Sequence, residues 1–175
     1  LDRFYKAAKK FNASNIVRIT GDCPLIDSNI IKKLVNLYFL KKFDHVGVAT
    51  GAGVNKMKIN KFPDGLDAEC FSFVALKKAW INARTSGEKE HVTPYIWKRH
   101  KKFKIGILKA NNNYSEFRWT LDNRDDFNLI KMIYKNLYNK NKIFFMNDII
   151  KYLKKNPNIS NLNNKYIGKE KYKNI

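Results

Sequence analysis

A chain of 175 residues with 44% hydrophobic and 14% aromatic content is long enough to bury a sizeable core, and a single domain is the default expectation. No apolar run approaches the ~20 residues that span a bilayer, and Asp2, Arg3 and Lys6 stand where a signal peptide would be apolar, so a cytoplasmic protein with no membrane partner is expected. The formal charge of +20 does not by itself make a nucleic-acid binder: only six of the thirty-five basic residues are arginine, the residue such sites favour, and the lysines travel with asparagine and isoleucine as an AT-rich genome imposes.

The first residue is Leu1 and a helix is already under way at Asp2, so the chain is expected to start partway through a larger unit. Phe4, Ala7, Ala8 and Phe11 recur at helical spacing and predict a buried stripe. Ile16 to Ile19 then reads as a short buried strand, ended by Gly21, with Asp22 just beyond its carboxyl end. In an open α/β sheet ligands bind at that end of the strands. Pro24 stiffens the turn, and Asp27 or Ser28 can cap a helix running to about Leu40, with Ile31, Leu34, Val35 and Tyr38 inward. A strand from Asp44 to Ala49 completes a βαβ unit, which implies a largely parallel sheet covered by helices.

Thr50 to Asn60 has no clean period and predicts a mobile loop. Pro63-Asp64-Gly65 is a turn signal, followed by a strand through Phe73 that carries Asp67 and Glu69 on one side. Those two acids make either the polar wall of a pocket or a solvated strand edge. A helix from Val74 to Arg84 places Leu76, Ala79, Trp80 and Ala83 inward, and Ser86 can cap a further helix that Pro94 interrupts. Glu90 and His91 are adjacent, so on a helix they diverge and make no acid/base pair. Lys102–Ala110 and Phe117–Leu121 read as strands, the second ending at Asp122. Phe127, Ile130, Tyr134 and Leu137 then mark one helix face, and Met146, Ile149, Ile150 and Leu153 another. Cys23 and Cys70 form no metal motif and read as small buried side chains.

Asp22 and Asp122 thus each close a strand on one edge of the sheet. Mg²⁺ takes oxygen ligands, commonly one or two carboxylates with substrate phosphates and water, so two convergent aspartates suit a metal–nucleotide site. The plainer alternatives are that Asp22 binds the amides of its own turn and that Asp122 caps a helix.

Four motifs in order, Arg18-Ile19-Thr20-Gly21-Asp22-Cys23-Pro24-Leu25-Ile26-Asp27, Pro63-Asp64-Gly65-Leu66-Asp67-Ala68-Glu69, Glu90-His91-Val92-Thr93-Pro94-Tyr95 and Arg118-Trp119-Thr120-Leu121-Asp122, resemble the SpsF-type cytidylyltransferases, relatives of the CMP-KDO and acylneuraminate enzymes. The resemblance runs from Leu1 to about Leu162. It implies an α/β fold, a GT-A-like nucleotidyltransferase three-layer sandwich with a mostly parallel mixed sheet. It also implies Mg²⁺-dependent transfer of CMP from CTP to a sugar or sugar acid in polysaccharide or glycan assembly, with pairing of two copies as the suggested homodimer. On this reading Asp22 and Asp122 are the catalytic metal ligands, Thr20 and Gly21 line the nucleotide side, and Asp67, Glu69, Glu90, His91 and Arg118 face the sugar. Residues 1–162 are then the carboxyl-terminal part of one domain, and 163–175 a poorly packed basic tail. The family's leading strand and its glycine- and basic-residue loop, which cradles the triphosphate, have no counterpart in this sequence. The chain alone is therefore expected to be incomplete for transfer. A catalytically inactive sugar-binding or partner module of the same fold is the alternative. In filter binding, the chain is expected to show no DNA or RNA retention that falls steeply with salt; such retention would restore the nucleic-acid reading.

Overall fold

The computed structural model describes residues 1–50 and 61–168. The loop expected at Thr50–Asn60 falls at 51–60, outside the described residues, as do 169–175. Short polar residues set the helix starts. Asp27 caps α2 (Ser28–Lys41) by accepting from Asn29 N at 2.7 Å. Ser72 caps α3 (Phe73–Asn82) through Ala75 N at 3.0 Å. Thr85, rather than Ser86, caps α4 (Ser86–Glu90) in a reciprocal box with Glu88. Pro94 begins α5 (Pro94–Trp97) instead of ending a helix, because the first helical position needs no amide hydrogen.

The strands are β1 (Asn15–Ile19), β2 (His45–Val48), β3 (Ala68–Ser72) and β4 (Ile105–Leu108), in spatial order β1-β3-β2-β4. β3 is antiparallel to both neighbours, and β2 and β4 are parallel. β1 and β2 therefore run the same way, as the βαβ reading requires, but β3 lies between them. The register sets Cys70 opposite Val17 and Val46, and Glu69 opposite Arg18 and Gly47. Successive side chains then alternate between two helical layers. Val46, Val48, Ala68 and Cys70 join the large core made with α2, α6 (Arg124–Leu137) and α7 (Met146–Lys155), in which Leu34, Trp119, Ile133 and Leu153 are almost fully buried. Phe71 packs on the other face with Tyr5, Ala8, Leu76 and Val92, beneath α1 (Asp2–Lys10) and α3. The result is the expected three-layer sandwich on a mixed sheet.

Several expectations need correction. β1 is a sheet edge rather than a buried strand: among the described residues only β3 pairs with it, and Val17 and Ile19 are exposed. On α1 the buried residues are Tyr5 and Ala8, with Ala7 and Phe11 exposed, so the stripe is rotated. Trp80 is exposed rather than core, stacked on Tyr5 at 4.2 Å with its indole N–H donating to Asp2. On α6 the buried stripe is Asp126, Leu129, Ile130 and Ile133, leaving Phe127 and Tyr134 exposed. Residues 117–121 form no strand; a single parallel bridge joins Arg118 to Asp64. Past residue 162, Asn163 is buried while Asn164, Lys165 and Gly168 are exposed. After α8 (Pro157–Ser160), the 3-10 turn Asn161–Tyr166 buries Asn163 against α6, because its amide finds buried acceptors there. Among the described residues no helix is long and apolar enough to cross a membrane.

The Pro63-Asp64-Gly65 turn is where the two halves of the chain press together. Asp64 N donates to Phe117 O at 3.0 Å and Trp119 N to Asp64 O at 2.6 Å. Gly65 sits at φ +98°, and a Cβ there would lie 2.4 Å from the Trp119 carbonyl carbon. Gly21, in contrast, has no positive φ, and a Cβ would meet nothing within 4 Å, so its turn does not demand glycine. Gly65→Ala is expected to cost more than ~1 kcal/mol in urea unfolding, from strain and collision together. Gly21→Ala is expected to leave stability within error, and equal effects of the two would contradict this packing.

Candidate active site

Beyond the end of β1 the chain turns at once, Cys23 N donating to Thr20 O at 3.2 Å. The tight turn presents Asp22, partly buried, while Cys23 and Leu25 go inward. Leu121 N donates to Asp22 O at 2.8 Å. That one bond fastens the residue before Asp122 to the main chain of Asp22, so the two segments lie side by side although 117–121 is no strand. The contact between these segments is made by a loop rather than by a shared sheet edge.

Side-chain geometry at Asp122 is set by Arg118, which is 6% exposed. Its Nη1 donates to Asp64 Oδ2 at 2.9 Å, its Nη2 to Asp122 Oδ2 at 2.5 Å, and its Nε to Asp126 Oδ1 at 3.2 Å. Thr120 Oγ1 also donates to Asp122 Oδ2, at 3.2 Å. Burial would lower the Arg118 pKa, but the Asp126, Asp122 and Asp64 carboxylates raise it, so the guanidinium stays charged. Asp126 is fully buried, and burial would push its carboxyl up; the Asn163 amide, Arg118 and the Asp122 amide hold it below the usual range. Arg118, expected to face a sugar, is instead committed to three carboxylates.

The Arg118 and Thr120 bonds to Asp122 both fall on Oδ2. Asp122 Oδ1 and the Asp22 carboxylate are the hard oxygen donors carried by the two segments that the Leu121 bond joins. Among the described residues no group of three or more His, Cys, Asp or Glu is set to hold a metal ion. Two carboxylates are nonetheless the donor set that suits Mg²⁺ when phosphates and water complete its shell. The Cys23 thiol, pushed up to about 12 by burial and by the Asp67 and Asp22 charges, stays protonated. It donates weakly to Asp22 Oδ1 at 3.7 Å and exchanges a hydrogen bond with Thr20 Oγ1 at 3.2 Å. Thr20 is thereby part of the Asp22 turn, and Gly21 is exposed above it.

A second polar cluster lies on the α1/α3 face of the sheet. Glu69 accepts from Arg18 Nη1 at 2.8 Å and Thr93 Oγ1 at 2.7 Å, and bonds His45 Nε2 at 3.0 Å. Asp67 accepts from Thr50 Oγ1 and from Gly65 N at 3.0 Å. Burial raises the Asp67 pKa, and the nearby Glu69 and Asp22 charges add to it. The two acids therefore line one side of the sheet and are no solvated edge. Asp67 is the link between this cluster and the Asp22 turn.

Glu90 is exposed at the end of α4, and His91 follows as its half-buried C-cap. It is Thr93 from that motif that reaches Glu69. Val92 between them holds φ +71°, a strained setting for a β-branched residue, and the turn it makes aims Thr93 inward. Sequence reasoning also missed Asp64, Asp126, His45 and Asn163. Asp126 carried a signal, standing three residues after the N-cap Asn123 as the partner of a capping box.

The family pattern described as Cytidylyltransferase matches residues 1–149. An uncharacterized protein of Methanocaldococcus jannaschii is 37% identical over 167 residues, 93% of this chain and 63% of that protein. The spore coat polysaccharide biosynthesis protein SpsF of Bacillus subtilis is 24% identical over 160 residues, 90% of this chain and 62% of that one. The solved structure of a cytidylyltransferase from Leptospira borgpetersenii serovar Hardjo-bovis superposes with a TM-score of 0.79 at 32% identity, over 91% of this chain and 63% of its own. The chain spans less than two thirds of the length of each of these proteins.

The Glu69 cluster carries a pH signature. Burial would push its carboxyl up, but the His45 hydrogen bond and charge, with Arg18 and Thr93, hold it at about 2 against an ordinary 4.5. A depressed folded-state pKa stabilises above the unfolded value and is lost as pH falls toward the folded one. The stability of the wild type over Glu69→Gln is therefore expected to be full above pH 4.5 and to shrink as pH falls toward about 2. Denaturant unfolding across that window checks this, and a pH-independent difference would contradict it.

Proposed function

The chain belongs to the cytidylyltransferase family, and from that premise we propose that it carries the aspartate-bearing part of an enzyme transferring CMP from CTP to a sugar or sugar acid. In this reading a sugar hydroxyl attacks the α-phosphorus, the bond to the β-phosphate oxygen breaks, and pyrophosphate leaves. Asp22 and Asp122 would hold Mg²⁺, which when bound neutralises phosphate charge and orients the leaving group. The observation that carries the reading is the Leu121 N to Asp22 O bond, which sets the two carboxylate-bearing segments side by side. Arg118 holds Asp122 by its Oδ2, leaving Oδ1 for the metal. The exposed Gly21 lets a nucleotide approach the turn closely.

Asp67 and Glu69 extend the polar surface from that turn along the sheet, and they are the groups best suited to line the sugar side. The similarity to SpsF, a protein named for polysaccharide biosynthesis, supports a polysaccharide or glycan context. Pairing of two such chains remains part of the proposal.

CTP-dependent pyrophosphate release, measured with a panel of sugar acids in the full protein carrying this chain, tests the reading. Asp22→Asn and Asp122→Asn are each expected to lower kcat at least ~100-fold, a loss of about 3 kcal/mol of transition-state stabilisation. Full activity in Asp122→Asn would contradict the reading. Sugar binding without metal dependence or pyrophosphate release would favour the inactive module.

A further inference from the structure

Asp126 and Asn163 have no place in the chemistry above, yet both are buried directly behind Asp122. Asp126 Oδ2 accepts from the main-chain nitrogens of Asp122 at 3.1 Å and Asn123 at 2.9 Å. The same oxygen and Oδ1 accept from Arg118 at 3.3 and 3.2 Å. Asn163 Nδ2 donates to Asp126 Oδ1 at 2.7 Å and to Arg118 O at 2.9 Å, across 37 and 45 residues. One carboxylate thus grips Asp122 twice, by its amide and through the guanidinium that holds its side chain.

We propose that Asp126, locked from behind by Asn163, is a positioning residue that sets the Asp122 carboxylate toward Asp22. This rests on the reading of Asp122 as a metal ligand. Asparagine at 126 could not do the same work, because it has a single acceptor oxygen and the bonds come from both sides. Asn163 lies beyond residue 149, where the family match ends, in the turn Asn161–Tyr166. Partners of this kind set ligand direction and commonly alter metal affinity when lost.

The test is a Mn²⁺ titration of the chain followed by broadening of the Leu121 and Asp122 amide NMR signals, with the spectrum also reporting the fold. Asp122→Asn serves as the reference and is expected to abolish the local broadening. Asp126→Asn is expected to require ~10-fold more Mn²⁺, and Asn163→Leu several-fold more. Lys165→Ala with Tyr166→Phe unties the same turn from Asp125 without touching Asp126, and is expected to titrate as wild type. If Asn163→Leu does not fold, Asn163→Ala replaces it. Wild-type titration in both Asp126→Asn and the Asn163 variant, with Asp122→Asn defective, would overturn the inference alone. An equal loss in the Lys165/Tyr166 variant would also overturn it, by assigning the effect to docking of the turn. Wild-type behaviour of Asp122→Asn would overturn the metal reading and this inference with it.

Discussion

Arg118 brings a permanent positive charge to a place that water scarcely reaches, and an unpaired guanidinium there would cost several kcal/mol. Three aspartates meet it: Asp64 from the turn before β3, Asp122 from the loop before α6, and Asp126 from within α6. Asp122 and Asp126 flank the start of α6 while Asp64 lies 54 residues before Arg118, so satisfying one charge ties the Asp64 turn to the entry of that helix. Removing any one carboxylate leaves the others to balance a buried cation, which makes the cluster cooperative rather than a sum of pairs.

The rest of the molecule is arranged so that this cluster sits beside the end of β1. Gly65 lets the Asp64 turn come into contact with the main chain of Trp119, and Trp119 itself is sealed in the core. With residues 117–120 clamped there, Leu121 reaches Asp22, and the segments bearing the two aspartates lie side by side without belonging to adjacent strands. On the sheet's other face, Glu69 gathers Arg18, His45 and Thr93, and Asp67 joins that group to the Asp22 turn.

The alternation of strand and helix, the caps at Asp27 and the buried face of α7 were legible because each rests on local spacing. The expectation that Asp22 and Asp122 close strands on one edge failed because 117–121 alternates like a strand yet makes a single bridge, to Asp64, and reaches Asp22 through the Leu121 bond instead. Helical stripes failed where one polar residue outweighed several apolar ones. On α6 the fully buried Asp126 turns the helix so that Phe127 and Tyr134 face out, a preference no hydrophobic pattern can express. Arg118 read as a substrate group because spacing alone does not show that Asp122 and Asp126, 4 and 8 residues on, and Asp64, 54 residues back, converge on it. Asn163 was hidden in a lysine- and asparagine-rich stretch whose composition suggests looseness, because its acceptors lie 37 and 45 residues away.

The central claim is that the Arg118 cluster holds Asp122 so that it and Asp22 bind one divalent ion together. Anomalous diffraction from crystals soaked in Mn²⁺ and CTP measures this directly. The account predicts a manganese peak within coordination distance of a carboxylate oxygen of both Asp22 and Asp122, with Arg118 still bound to Asp122 Oδ2. A peak held by Asp67 or Glu69 instead, or one on Asp122 with Asp22 turned away, would contradict it.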